Sequence, residues 1–129
     1  MNFTYQIIPC NTGSYLDIIA AKNRIETEQH AIDLMCLCTE NNTNNLCVHS
    51  QALSDQFFLL SSGSAGGILQ KFVNYHIRTA IVLETGMELP VRFQEMMLEA
   101  NKGNEFHFFF SKNEAEQWLM CVQGRLSHG

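Results

Sequence analysis

Cysteine and histidine are the residues of this chain best suited to metal or nucleophilic chemistry, and their spacing matches no metal motif. Cys36 and Cys38 are two residues apart in a segment with helical periodicity, so they point to nearly opposite sides and cannot share a metal as a Cys-x-x-Cys pair does. The histidines show neither i, i+4 pairing nor a His-Glu-x-x-His pattern. We therefore predict structural thiols, histidines at the surface or at strand ends, and no metal or other cofactor. The cysteines are Cys10, Cys36, Cys38, Cys47 and Cys121, and the histidines are His30, His49, His76, His107 and His128.

Sequence motifs also indicate no catalytic nucleophile. There is no Gly-x-Ser-x-Gly, and the aspartates Asp17, Asp33 and Asp55 lie outside any triad context. The glycine-containing stretch from 63 to 67 lacks the Lys-Ser/Thr ending of a phosphate-binding Walker loop. We favour a non-enzymatic function and assign no catalytic residue. If the protein were an enzyme, the residues to test would be the polar group Lys71, Asn74, Tyr75 and Arg78. The structural alternative is that they form a solvated helix face on which Tyr75 is a half-buried anchor.

Serines are concentrated just before a predicted helix that begins near Ala65. The first N–H groups of a helix have no partner, and the helix dipole favours an anion there. One serine is enough for an N-cap, and the glycines could permit close helix–sheet packing. The other serines could carry a phosphate, or the helix N-terminus could receive an anionic ligand. The predicted switch or anion-binding residues are Ser61, Ser62, Gly63, Ser64, Gly66 and Gly67.

Size and charge restrict the classes of partner. The chain has 129 residues, which fits one domain. Eight basic residues against 13 acidic ones give a formal net charge of -5, which argues against binding nucleic acid or anionic lipid. No run of about 18 apolar residues is present, so we expect no transmembrane helix. Five cysteines at irregular spacing are typical of a reducing compartment, and we predict a cytoplasmic protein.

The elements that must position these residues alternate along the chain. This alternation predicts one α/β domain, residues 1–129, with a mixed, mostly parallel sheet, an N-terminal antiparallel hairpin and about four packing helices. Thr27 is a plausible N-cap, Pro90 suits the first turn of a helix, and residues 51–60 fit either helix or loop. The predicted strands are 3–9, 15–20, 46–49, 79–83 and 106–110, and the predicted helices are 28–40, 65–75, 90–102 and 113–122.

Aromatic residues exceed what one strand face can bury. Four of the five residues from 106 to 110 are phenylalanine, and successive side chains of a strand point to opposite faces. Helices could cover both faces, which we favour, or some of these rings could line a pocket or an interface. Met96, Met97 and Met120 could join them, although their spacing is typical of core residues. Phe57 and Phe58 are predicted to anchor the core.

The run FFLLSSGSAGGILQKFVNYHIRTAIV, residues 57–82, resembles the signature of an uncharacterised bacterial domain-of-unknown-function family. Members of that family read FFDL, then Gly-x-Ala-Gly-Glu, ILQKF and AIV-Gly-Asp. The resemblance continues through Glu-Ala-Asn-Lys-Gly at 99–103 and covers about residues 28–120. Where the family has carboxylates, this chain has Leu59, Gly67 and Leu83-Glu84. The resemblance implies kinship without an established activity, and partial loss of any role those carboxylates have.

The order of elements is also similar to a STAS domain, the fold of anti-sigma-factor antagonists. Those proteins carry a phosphorylatable serine at a helix N-terminus, and Ser61 and Ser62 occupy the corresponding position in this sequence. The aspartate that precedes the serine in STAS domains is replaced here by Leu60. This likeness implies a regulatory or protein-interaction domain switched at residues 61–67. The alternative is a small-ligand-binding protein with an anion site near residues 62–67 and an apolar pocket. Either could be a homodimer.

Overall fold

Five strands form one sheet in the order β1-β2-β3-β4-β5. The computed structural model describes residues 2–10 and 13–126, with side chains through Met120. β1 and β2 are antiparallel, and the other neighbours are parallel. This mixed, mostly parallel sheet with its N-terminal hairpin confirms the predicted fold class. The strands are β1 (Phe3–Cys10), β2 (Gly13–Ala21), β3 (Asn45–His49), β4 (Arg78–Val82) and β5 (Phe106–Phe109).

Some predicted features lie outside the described residues. They are Asn11 and Thr12 of the predicted hairpin turn, His128, and the thiol of Cys121. Within the described part of the chain, no helix is both long and apolar enough to span a membrane.

Four helices accompany the sheet in the described part of the chain, and local signals explain where two of them begin. The Thr27 side chain accepts a hydrogen bond from the His30 N–H, which confirms the predicted N-cap of the first helix. Pro90, predicted to lie in the first turn of the third helix, is instead its N-cap, so the helix begins one residue later than predicted. Residues 51–60, whose sequence fits either helix or loop, contain short 3₁₀ turns. The helices are α1 (Glu28–Glu40), α2 (Ser64–Asn74), α3 (Val91–Ala100) and α4 (Lys112–Leu126).

The sheet separates two apolar clusters. α1, α2 and α3 contribute to the larger cluster, which includes Phe57 and Phe58, and α4 covers the smaller one on the opposite face. Both faces of β5 are therefore covered: Phe108 packs in the larger cluster, and Phe109 packs near Trp118 in the smaller one. Phe110 follows the strand and is 51% exposed. The favoured interpretation of the phenylalanine-rich strand thus holds within β5, and Phe110 lies at the surface.

The methionines divide between the same two clusters. Met97 is buried in the larger cluster and Met96 packs against it, whereas Met120 is buried in the smaller one. Their helical spacing therefore correctly indicated core residues.

The outer edge of β5 is closed by a side chain. Phe108 donates its backbone N–H to Asn101 Oδ1 at 2.8 Å and accepts a hydrogen bond from Asn101 Nδ2 at 3.3 Å. These two bonds mimic a neighbouring strand, so the edge does not offer free backbone groups at this position.

Candidate functional site

The serine turn before α2 uses two of its three hydroxyl groups internally. Ser62 Oγ lies 2.6 Å from the Gln56 carbonyl oxygen and 2.7 Å from that of Leu59, and it accepts the Ser64 N–H at 3.1 Å. Ser64 donates its hydroxyl to the Glu26 carbonyl. Both hydroxyls therefore stabilise the turn.

The N-cap of α2 differs from the predicted serine. Gly63 occupies the cap with φ of 78°, and its flexibility permits this left-handed conformation. Ser62 supplies a hydrogen bond to the helix start from one residue earlier. Ser61 is exposed, and its hydroxyl has no hydrogen bond with the described residues. Of the three serines, Ser61 alone is accessible for modification without breaking contacts of its hydroxyl.

Acidic residues surround the start of α2. Glu26 and Glu28 line a cavity of about 290 Å³ beside Ser62 and Ser64. Lys71 Nζ lies 3.6 Å from a Glu28 carboxylate oxygen and balances one of the two charges. The remaining negative charge opposes the field of the helix N-terminus, so the geometry disfavours an anion here.

The two glycines inside α2 do not bring the helix close to the sheet. A Cβ atom at Gly66 would have no neighbour within 4 Å. A Cβ atom at Gly67 would lie 3.1 Å from Glu28 Oε2, which belongs to a side chain of α1. Close helix–sheet packing, which we considered as a reason for these glycines, is therefore wrong for both positions.

The predicted polar group does not converge on one site. Lys71 faces α1, and Asn74 accepts a hydrogen bond from Gln70. Tyr75 is 62% exposed, so the expected half-buried anchor is wrong: the residue caps the end of α2 and its ring remains in solvent.

Arg78 of that group faces α4. Its guanidinium carbon lies 3.9 Å from the centre of the Trp118 ring, and Nη1 donates to the carbonyls of Trp118 and Leu119. Burial lowers the Arg78 pKa. The contacts attach α4 to the start of β4, which is a structural role.

A crevice lies where the parallel strands end. The segments after β2, β3 and β4 surround a cavity of about 390 Å³. Ligands of open α/β sheets commonly bind outside the carboxyl ends of the strands. Asp55, Glu84 and Glu88 line this crevice, and Arg24 is the one cation among its lining residues. The crevice therefore has an excess of negative charge, and sequence reasoning missed it because these residues come from separate segments.

The remaining wall of the crevice is largely apolar. Phe58, Leu59 and Met87 lie on it, and Leu59 is 43% exposed. Ser50 also lines the crevice; it is 7% exposed, and its hydroxyl has no hydrogen-bond partner among the described residues. An unpaired buried hydroxyl costs folding free energy, and a polar ligand or a water molecule at the crevice could relieve that cost.

A second polar cluster lies beneath the start of α4. Asp17 is fully buried in β2; its Oδ1 lies 2.8 Å from His49 Nε2, and its Oδ2 lies 3.1 Å from Lys112 Nζ. Burial alone would raise the Asp17 pKa, but His49 and Lys112 together hold it below its ordinary value. Asp17 is therefore an ionised carboxylate inside the fold.

Cys47 completes this cluster. It lies directly opposite Asp17 in the β2–β3 register, and its sulfur is within 4.8 Å of a carboxylate oxygen of Asp17. Burial and then the negative charge of Asp17 raise the Cys47 pKa, so the thiol is protonated and is a poor nucleophile. Asp17, Cys47 and His49 nevertheless place three potential metal-ligand atoms within 4.8 Å of one another. The spacing of the cysteines and histidines predicts no metal set; these three donors lie on two strands, outside any local motif.

Comparison with known proteins adds a family. A family model described as a domain of unknown function, DUF4180, matches residues 10–119. The chain belongs to the DUF4180 family. Neither the curated proteins nor the solved structures contain a match to it. The DUF4180 description carries no activity, so the function has to be argued from the geometry of the site.

Two positions that the sequence resemblance singles out, Leu59 and Glu84, line the same crevice. A third, Gly67, lies against the Glu28 side chain of α1.

Proposed function

We propose that this domain binds a small organic cation in the crevice at the carboxyl edge of the sheet. The observation that carries the proposal is the meeting of three carboxylates, one guanidinium and an apolar wall in one cavity of about 390 Å³. This volume lies within the range of roughly 300–1,000 Å³ that is typical of small-molecule sites. The matching ligand has an ammonium group attached to an apolar body.

The crevice charges determine whether a cation or an anion binds, and they contribute less to the binding free energy. Asp55, Glu84 and Glu88 are exposed, so solvent screens each interaction with a bound ammonium group. Their sum still favours a cation over an anion of the same shape, and we expect at least about a tenfold difference in Kd. Phe58 and Leu59 would bind the apolar body, and the Ser50 hydroxyl could gain a polar partner.

Tryptamine and indole-3-acetate provide a matched pair of probes, because they share a ring and carry opposite charges. Isothermal titration calorimetry is expected to show binding of tryptamine and much weaker binding of indole-3-acetate. The double variant Glu84→Gln/Glu88→Gln is expected to weaken tryptamine binding severalfold. Glu95→Gln on α3 removes an exposed carboxylate that does not line the crevice and should leave binding unchanged. Equal affinities for the two probes, or equal effects of the two variants, would contradict the proposal.

A regulatory interaction domain is a second candidate, and the exposed Ser61 favours it. A phosphate on Ser61 would add up to about two negative charges at an exposed position beside Ser62, and this charge would alter the surface of the turn. The likeness to STAS domains supports the same residue region. Native mass spectrometry of protein from its own cells, followed by peptide mapping, is expected to locate a phosphate on Ser61. The same spectrum reports whether the protein is a homodimer. A phosphate on Ser62 alone, or no phosphate under any growth condition, would exclude this switch.

A reducing, cytoplasmic compartment fits both candidates. Cys10, Cys36, Cys38 and Cys47 are all free, and burial raises the pKa of Cys38 to about 12. Fractionation of the native cells with thiol labelling would test this location. Recovery of the protein from an oxidising compartment would contradict it.

A further inference from the structure

The cluster beneath α4 has the donor types and the spacing of a metal site that is separate from the crevice. We propose that Asp17, Cys47 and His49 bind a divalent metal ion of the zinc class. Carboxylate, thiolate and imidazole are all zinc ligands, and a thiolate ligand favours zinc over magnesium or calcium. The three donor atoms already lie within 4.8 Å of one another.

The backbone holds these donors in place. Asp17 and Cys47 are opposite each other in the register of adjacent parallel strands, and His49 follows on the same face of β3. His49 Nε2 and Asp17 Oδ1 are 2.8 Å apart, whereas tetrahedral bonds of about 2.0–2.1 Å require roughly 3.3 Å between them. Forming the site therefore requires His49 Nε2 and Asp17 Oδ1 to separate by about half an ångström. It also requires the Cys47 sulfur, which lies within 4.8 Å of both, to sit roughly 3.6 Å from each of them, the distance set by a Zn–S bond of about 2.3 Å.

Proton and charge balance are simple. Binding transfers the Cys47 proton to solvent, and His49 binds through Nε2 with its proton on Nδ1. The thiolate, the Asp17 carboxylate and a divalent cation then sum to zero charge. Asp17 and Cys47 are buried, but the His49 side chain is 17% exposed, which leaves a route for the ion and for a water molecule as the fourth ligand.

Lys112 regulates this site by competition. Its ammonium group lies 3.1 Å from Asp17 Oδ2. The Lys112 side chain is 46% exposed, so it can move into solvent when a metal ion neutralises the carboxylate. Removing this cation should strengthen metal binding, because the buried Asp17 would lack a counter-charge and the ion would no longer meet a neighbouring positive charge. A purely structural ion pair predicts no such gain.

Cobalt is a spectroscopic probe for this proposal. Untagged, metal-free protein titrated with Co²⁺ is expected to show the visible bands of tetrahedral cobalt and a near-ultraviolet thiolate-to-cobalt band. Equimolar Zn²⁺ should remove both. Binding should strengthen as pH rises, since Cys47 must lose its proton. Absence of the thiolate band at saturating cobalt would overturn the proposal.

Variants identify the ligands. Cys47→Ser is expected to abolish the thiolate band, His49→Gln to weaken binding at least tenfold, and Lys112→Met to strengthen it roughly tenfold. Cys36→Ser is the matched control, because it removes an exposed thiol on α1. Loss of the band in Cys36→Ser, or its persistence in Cys47→Ser, would place the metal elsewhere and overturn the proposal. Circular dichroism verifies that each variant is folded, and His49→Gln provides an independent test if Cys47→Ser is not.

Discussion

Asn101 closes the outer edge of β5, and its replacement by alanine should cost a large part of the folding free energy. The change removes both hydrogen bonds to the Phe108 backbone, at 2.8 and 3.3 Å. Phe108 is 3% exposed, so its N–H and C=O would lose partners in a poorly hydrated place. Two lost bonds of about 1 kcal/mol each, plus the cost of unsatisfied groups, predict a loss of about 2–4 kcal/mol.

Urea unfolding followed by the fluorescence of Trp118, the single tryptophan, measures this loss. Gln94→Ala is the matched control. It removes an exposed amide of α3 that donates to the Leu89 carbonyl just before the helix, and it should cost less than about 0.5 kcal/mol. Sedimentation should also show more association of Asn101→Ala, because an open strand edge pairs with other edges. Equal stability losses in the two variants would refute the edge-closing role of Asn101.

Three further predictions concern the serine turn, α2 and the smaller cluster. Ser62→Ala should cost about 1–2 kcal/mol in urea unfolding and Ser61→Ala less than about 0.5, because only the first hydroxyl bonds within the turn; equal effects would contradict this assignment. Gly66→Ala should raise the free energy of unfolding by up to about 1 kcal/mol, whereas Gly63→Ala should lower it by about 1 kcal/mol, because of these two glycines only Gly63 has a positive φ. Thermal unfolding distinguishes the two signs, and a stabilising effect of Gly63→Ala would contradict this reasoning. Burial and then the charge of Arg78 lower the His107 pKa, so below about pH 6.5 the unfolded chain binds more protons than the folded one, and stability falls as pH falls. His107→Gln should therefore flatten the dependence of Tm on pH between 7.5 and 5.5. An unchanged slope would mean that other groups cause this pH dependence.

Local sequence patterns were sufficient to predict the helices and strands but not the residues that form the two polar sites. The helical spacing after Thr27 and the alternation of helices and strands depend on neighbouring residues, so they could be read from the sequence. The Gly63 N-cap could not be predicted from the sequence, because the Ser62 hydroxyl forms hydrogen bonds with carbonyls up to six residues earlier. That competition depends on how the segment before α2 folds.

The two polar sites depend on which strands become neighbours. Asp17 and Cys47 are 30 residues apart in sequence and meet only through the β2–β3 register. One signal was available: an aspartate within the apolar segment Tyr15–Ile19, and a cysteine and a histidine two residues apart on the next strand. The sequence singles out Leu59 and Glu84 of the crevice only as separate positions, because Arg24, Asp55 and Glu84 belong to segments that follow different strands.

The most direct test of cation binding at the crevice is an amide NMR titration of the labelled protein with tryptamine, repeated with indole-3-acetate. We predict saturable shifts at Ser50, Leu59 and Glu84 with tryptamine, and much smaller ones with indole-3-acetate. Glu95 and Tyr75, which do not line the crevice, should remain unshifted. Shifts confined to other surfaces, or the same shifts with both probes, would contradict a cation site at the carboxyl edge of this sheet.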